Sequence, residues 1–246
     1  MIVGFIGAGR MAAAMARGWV AKVDQMLFTD SGSGRAGGIA EEVGGEALAS
    51  NRELAERADV VILAVKPAGL EAVAVEIGGI AKPLVSLLGA TSMDRLEAAF
   101  PEADVCRVMP NVAVEVQRGV LCVAGGGEEV RRLLDALGHM VELPDADFNA
   151  ATAVMGCAPA YLALAVEAIA DAGAEAGLDV DLARELVVET AAGTAELLRR
   201  HHPREVREAV ASPGGSTEAG LDALETAGGR QAFESAVRAS LERMRG

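Results

Sequence analysis

Two glycine-rich stretches, one near each end of the 246-residue chain, carry the residue types that could do chemistry. The later one is Ser212-Pro213-Gly214-Gly215-Ser216-Thr217, set between a helical pattern over 202–210 and further helical patterns at Leu221, Leu224 and 230–243. Pro213 ends regular structure, and Gly214-Gly215 removes two Cβ atoms, so a ligand can approach bare backbone. Ser216 or Thr217 reads as the N-cap of the next helix, leaving N–H groups that point outward as an anion site. An ordinary inter-helix turn with a Ser/Thr cap has the same composition. The other stretch tips the balance.

Gly7-Ala8-Gly9-Arg10-Met11-Ala12 directly follows the apolar run 2–6 and opens a helical pattern through Trp19. Strand, glycine turn and helix form the context of a dinucleotide fingerprint. Gly7 serves the tight turn, Gly9 the approach of the pyrophosphate, and Ala12 the close packing of helix on strand. The next strand, 26–29, ends at Asp30, the usual place for a carboxylate that holds the adenosine ribose 2′-OH. Ser31-Gly32-Ser33-Gly34-Arg35 follows, and hydroxyls with an arginine there suit a 2′-phosphate instead. NADH and NADPH both stay open on these residues.

The elements that must position these loops alternate between strand and helix. A short strand is expected at 46–49, with Asn51 in the loop before another helical turn. Residues 59–65 form a continuous β-branched apolar run, the mark of a parallel strand buried on both faces. Lys66-Pro67 ends it, where the carboxyl ends of such strands line a ligand crevice. Further strands are expected at 83–88, 105–108, 119–124 and 140–143, giving an α/β doubly wound, mostly parallel sheet over residues 1–145. From 146 to 246 the period turns helical, with long Ala-rich patterns over 147–176 and 180–200. Helices so poor in bulk bury little each, so a second copy is a natural way to complete their core.

Composition excludes several functions. The net charge of −14, with no clustered Lys and Arg, argues against nucleic acid. Cys106, Cys122 and Cys157 are odd in number and widely spaced, forming neither a disulfide framework nor a zinc site, which fits a reducing compartment. His139, His201 and His202 give no metal pattern either, so no metal is expected. The chain opens in a strand-like run without a basic leader, and no signal peptide is expected. The longest uncharged run, 148–166, contains Gly156 and Pro159 and is flanked by acidic residues, which predicts a buried core helix rather than a membrane span. A cytoplasmic protein is the expectation.

Taken together, the chain resembles the pyrroline-5-carboxylate reductase family over essentially its whole length. The resemblance is carried by Gly7-Ala8-Gly9-Arg10-Met11-Ala12, Ala64-Val65-Lys66-Pro67 and Arg107-Val108-Met109-Pro110-Asn111. It continues through Gly156-Cys157-Ala158-Pro159-Ala160-Tyr161, Asp171-Ala172-Gly173 and Gly177-Leu178, and ends in the 212–217 block followed by Ala219-Gly220-Leu221. It implies a Rossmann domain joined to an all-helical domain that interleaves with a second subunit, a homodimer as building unit, and larger rings in some members. It also implies reduction of the cyclic imine Δ1-pyrroline-5-carboxylate to L-proline with NADPH or NADH.

By the same resemblance Gly7, Ala8, Gly9, Arg10, Met11, Ala12, Asn51, Ala64, Val65, Lys66 and Pro67 would hold the cofactor. Ser212, Gly214, Gly215, Ser216 and Thr217 would hold the substrate carboxylate, with the Thr217 hydroxyl near the imine nitrogen as the candidate catalytic group. A protonated imine already accepts hydride well, so no His, Cys or carboxylate pair is needed. The chain departs from the family pattern at Arg10, at Leu88-Gly89-Ala90, at Cys157-Ala158 and at Glu218, where an apolar residue is usual. Turned inward, Glu218 would repel a bound carboxylate; turned outward, it is a solvated side chain favoured by the helix dipole. Two rival readings remain, a reductase of another cyclic imine and a nucleotide-sensing protein without turnover.

Overall fold

The computed structural model describes residues 1–245, with side chains through Met244. The strands are β1 (Ile2–Ile6), β2 (Gln25–Thr29), β3 (Glu46–Ala47), β4 (Val60–Leu63), β5 (Pro83–Ser86), β6 (Asp104–Pro110), β7 (Gly119–Gly125) and β8 (Gly138–Glu142). Helices α1 (Arg10–Gly18), α2 (Arg35–Val43), α3 (Asn51–Arg57), α4 (Leu70–Ile77), α5 (Met93–Ala99) and α6 (Glu128–Asp135) alternate with them. The helical part contains α7 (Phe148–Ala151), α8 (Ala158–Glu175), α9 (Val180–Leu198), α10 (Pro203–Val210), α11 (Ser216–Thr226) and α12 (Gly229–Arg245). Two compact units result, Met1–Gly156 and Cys157–Arg243.

The first unit is one sheet in the order β3-β2-β1-β4-β5-β6-β7-β8. All pairs are parallel except β6 with β7, which run antiparallel with Cys106 opposite Gly125. Strand order reverses between β1 and β4, so a crevice opens beyond their carboxyl ends. The continuous apolar runs are explained by two cores. Val3, Phe5, Phe28, Val60 and Ile62 pack with Ala12, Met15, Ile39 and Leu133 of α1, α2 and α6 on one face. Leu27, Val61, Leu63 and Leu84 pack with Leu54, Leu70 and Leu96 of α3, α4 and α5 on the other. The few aromatic residues concentrate where bulk is needed, with Phe5 stacked on Phe28 at 5.1 Å between centroids and beside Trp19 at 5.8 Å. Trp19 donates its indole N–H to the Leu133 carbonyl at 2.9 Å, satisfying the one polar atom it buries.

A buried cation ties the last strands to the connector that follows. Arg107 on β6, 3% exposed, pairs with Asp145 and lies over the Phe148 ring at 4.3 Å. Asn111 accepts the Val120 N–H at 3.1 Å and donates to the Met155 carbonyl at 3.2 Å. The Arg107–Asn111 segment is thus a bracket for residues 145–156.

Two expectations need correction here. The helical pattern over 147–176 is not one helix: a π-helical turn at Thr152–Gly156 and a break at Cys157 separate α7 from α8. Thr152 donates to the Phe148 carbonyl at 2.6 Å, a back-bond that loosens the local ladder, and Pro159 can sit only in a first turn. Nor is 148–166 a buried core helix. The surrounding stretch Asp145–Glu175 is long and apolar enough to cross a membrane by composition, yet only 11% of its most apolar window is buried within the single chain. Leu162 and Leu164 are each 64% exposed.

Candidate functional site

A cavity of about 1100 Å³ opens at the carboxyl ends of β1, β2 and β4. Of the residues expected to hold a nucleotide, Gly7, Ala8, Gly9, Asp30, Ser31, Arg35, Asn51, Ala64, Val65 and Lys66 line it together. Arg10, Met11, Ala12 and Pro67 do not line it. Ala12 is fully buried in the α1–sheet contact, and Pro67 opens a short 3-10 turn after β4.

The glycine turn is built by two different constraints. Gly7 has φ of +102°, and a Cβ there would stand 2.7 Å from the Ala64 carbonyl oxygen. Its absent side chain is therefore what lets the first turn lie against the exit of β4. Gly9 is different: φ is −81°, and a Cβ would meet no protein atom within 4 Å. Nothing in the protein itself crowds position 9, so the bare backbone there leaves room for a ligand to approach from the cavity. Gly9 is also the N-cap of α1, without a side-chain cap. The amides of the first turn therefore lack intrahelical acceptors and face an anion-sized need.

The far wall of the cavity is polar. Thr29 donates its hydroxyl to Asn51 Oδ1 at 2.6 Å, and Asn51 donates its amide to Glu76. Asn51 is thus fixed between β2 and α4. Asp30 turns inward on its own loop: its carboxylate accepts the N–H groups of Gly32, Ser33 and Ala36. The Ala36 N–H first, then those of Gly32 and Ser33, hold its carboxyl down to about 2. That stabilisation is complete above the ordinary value of 3.8 and is lost as pH falls through about 2, so the loop is fully braced at neutral pH. Glu76 and Arg52 were not singled out from the sequence, because one sits mid-helix and the other beside a loop, with no motif to mark them; both line the cavity.

The second glycine stretch belongs to the unit Cys157–Arg243. The helix begins at Ser216 with Gly215 as its N-cap, and no side chain caps it, which corrects the expectation of Ser216 or Thr217 in that role. Gly214 adopts φ of +71°, and Gly215 N–H closes the turn on the Ser212 carbonyl at 2.9 Å. The amides of Ser216 and Thr217 lie in the first turn without intrahelical acceptors, and the Thr217 hydroxyl is not used for capping. Glu218 takes neither an apolar role nor a purely solvated one. Its carboxylate reaches back to the Gly214 N–H at 2.7 Å, placing an internal anion on one of the loop's donors.

No cluster of metal-ligating side chains occurs among the described residues. Burial pushes the Cys106 thiol up to about 12, which removes it as a nucleophile at neutral pH.

The comparisons with known proteins fit this geometry. Residues 145–246 match the family model for pyrroline-5-carboxylate reductase dimerisation, and residues 2–89 match the model described as NADP oxidoreductase, coenzyme F420-dependent. A pyrroline-5-carboxylate reductase from Synechocystis is 39% identical over 78% of this chain and 76% of its own length. Pyrroline-5-carboxylate reductase 3 of Macaca fascicularis is 34% identical over 99% of this chain and 94% of its own. Among solved structures, the Streptococcus pyogenes 1-pyrroline-5-carboxylate reductase superposes with a TM-score of 0.89 at 30% identity, covering 99% of this chain and 98% of that one. The Plasmodium falciparum pyrroline carboxylate reductase, solved with NADP bound, gives 0.87 at 28% identity, covering 99% and 97%. Matched through both of its units by relatives of this kind, the chain belongs to the pyrroline-5-carboxylate reductase family.

Proposed function

We propose that the protein reduces Δ1-pyrroline-5-carboxylate to L-proline with hydride from NADPH or NADH. The observation that carries this reading is the cavity at the β1/β4 reversal, where the Gly7–Gly9 turn and the Ala64-Val65-Lys66 exit meet in one wall. When bound, the reduced nicotinamide supplies the hydride that adds to the imine carbon. The chain's own work is binding and orientation. Amides of the α1 first turn receive the pyrophosphate, and Asn51, Lys66 and the segment through Pro67 fix the rest of the nucleotide. Ser212, Gly214, Gly215, Ser216 and Thr217 receive the substrate carboxylate on backbone N–H groups. The Thr217 hydroxyl stands toward the imine nitrogen and, with water, manages its proton.

In this reading residues 1–145 are the nucleotide-binding domain and 146–246 the substrate-binding and dimerisation domain. The working unit is a homodimer, which supplies a cover for the apolar faces of α8 and α9. Larger rings of dimers and a cytoplasmic location complete the proposal.

The test is loss of reduced-nicotinamide absorbance with Δ1-pyrroline-5-carboxylate, run with NADH and NADPH in parallel. Turnover supports the reading and ranks the cofactors. Silence from a folded, cofactor-binding protein overturns it and directs attention to another cyclic imine, such as a six-membered one.

A further inference from the structure

The carboxylates that flank the second glycine stretch are met by arginine: Glu208 takes Arg204 and Glu225 takes Arg230, each at 2.7 Å. Glu218, between them, has no cation within pairing distance among the described residues. Its partner is main chain, with Oε2 accepting the Gly214 N–H at 2.7 Å. A glutamate third in a helix ordinarily reaches back to the N–H of the N-cap residue. Here the N-cap is Gly215, and its N–H is already bonded to the Ser212 carbonyl at 2.9 Å. The carboxylate therefore passes over it to Gly214, where a Cβ would meet nothing within 4 Å. Its other oxygen, Oε1, accepts no protein donor among the described residues.

The loop thus holds a carboxylate of its own, one oxygen anchored and one free. A carboxylate on the ring of a cyclic imine has two uses at such a loop. It anchors the ring on backbone N–H groups, and it sets a negative charge beside the protonated nitrogen, favouring the iminium form that accepts hydride. Glu218 can serve both ends for a ring that lacks the group. Oε2 keeps the Gly214 N–H satisfied, and Oε1 is open to an iminium N–H.

We propose that Glu218 stands in for the substrate carboxylate, so that the protein also reduces cyclic imines that carry none, Δ1-pyrroline being the simplest. The inference rests on the imine-reductase reading of the Ser212–Thr217 loop and makes Glu218 its specificity-determining residue. The imine carbon takes hydride from NADPH and forms its new C–H bond. The C=N π pair passes to nitrogen, which already holds its proton, and pyrrolidine and NADP⁺ leave. With Δ1-pyrroline-5-carboxylate the charge works in the opposite sense. Two carboxylates then compete for the same donors, and Glu218 has to leave Gly214 before the substrate can take its place. One side chain therefore favours one substrate and opposes the other, which a mere brace for the loop does not do.

The experiment is steady-state kinetics of the full-length protein at saturating NADPH, with Δ1-pyrroline and Δ1-pyrroline-5-carboxylate in parallel. The unaltered protein is expected to turn over both. Glu218→Gln keeps an oxygen for the Gly214 N–H but loses the charge. It should lower kcat/KM for Δ1-pyrroline by about fivefold or more and lower KM for the carboxylated imine severalfold. In Glu218→Ala, added acetate should restore Δ1-pyrroline reduction by supplying the missing carboxylate. Reduction of the carboxylated imine with none of Δ1-pyrroline overturns the proposal and leaves the proline reading standing. Reduction of Δ1-pyrroline alone, lost in Glu218→Gln, does the reverse. Parallel losses on both substrates in Glu218→Gln also overturn the proposal, since they make Glu218 a brace.

Discussion

The two units bury their apolar residues very differently. Met1–Gly156 encloses both faces of its sheet, with Phe5, Phe28, Trp19, Leu54 and Ile62 fully buried. In Cys157–Arg243 only Ala170 and Ala183 are buried among the described residues, while Ile169, Leu186 and Phe233 are 60%, 50% and 50% exposed. The first unit is a core in its own right; the second is half of one. Its stability is therefore expected to depend on protein concentration, as that of obligate assemblies does.

The largest expected effect falls on that contrast. Ile169→Asp and Leu186→Asp should yield a monomer by light scattering and lower activity by about a hundredfold or more, the scale of a buried interface anchor worth ~2–4 kcal/mol. The sheet unit should keep its near-UV signature. A variant that stays dimeric and active would mean that these faces are simply solvent-exposed. Next comes Arg107→Ala, which breaks a buried pair and uncovers Phe148. Because Asp145 keeps 35% of its side-chain surface, the cost should fall near the lower end of the usual range, ~3 kcal/mol by denaturant titration. A change below about 1 kcal/mol would show that the bracket on residues 145–156 is ornamental to the fold.

Within the sheet unit, Gly7 and Gly9 separate folding from binding. Gly7→Ala should cost about 1–3 kcal/mol, since it combines a positive φ with a contact on the Ala64 carbonyl. Gly9→Ala should leave stability within about 0.5 kcal/mol, because a Cβ there meets no protein atom within 4 Å, and should weaken nucleotide binding by intruding on the space a bound pyrophosphate would occupy. Equal losses of stability in both would refute the distinction. The smallest effect is expected at Glu218. Glu218→Gln removes a charge from the Gly214 N–H and should lower KM for the imine severalfold with kcat nearly constant. A raised KM would instead make Glu218 a brace that holds the loop ready.

Much of the sheet was legible in advance because its information is local. Residues 59–65 read as a doubly buried strand from composition, and the glycine turn followed β1 without a gap. The nucleotide wall was legible for the same reason, since Gly7, Asp30 and Ala64 each end a strand. What local pattern could not give was partnership over distance. Arg107 meets Asp145 across 38 positions, and Asn111 meets Met155 across 44. The break at 152–157 was signalled only by Gly156 and Pro159, which mark a helix start near 158; the π turn before them keeps apolar residues flowing while shifting their phase and leaves no sequence mark. The exposure of 148–166 was misjudged on a different ground, since hydropathy reports that a face needs cover and not who supplies it. The cap at Gly215 was missed because hydroxyl residues draw the eye, although a bare N-cap leaves more amides for a ligand.

The close fit of Gly7 to the Ala64 carbonyl has a bearing on ancestry. The contact is with main-chain atoms, so it ties the glycine at position 7 to the path of the chain leaving β4 and not to any side chain there. A recombination that imported the opening turn from a distant cousin, yet kept the local β4 exit, would bring together surfaces that never evolved side by side. The smallest exchangeable cassette for this site thus runs from β1 past Ala64, and anyone transplanting the nucleotide site into another sheet should carry that whole segment.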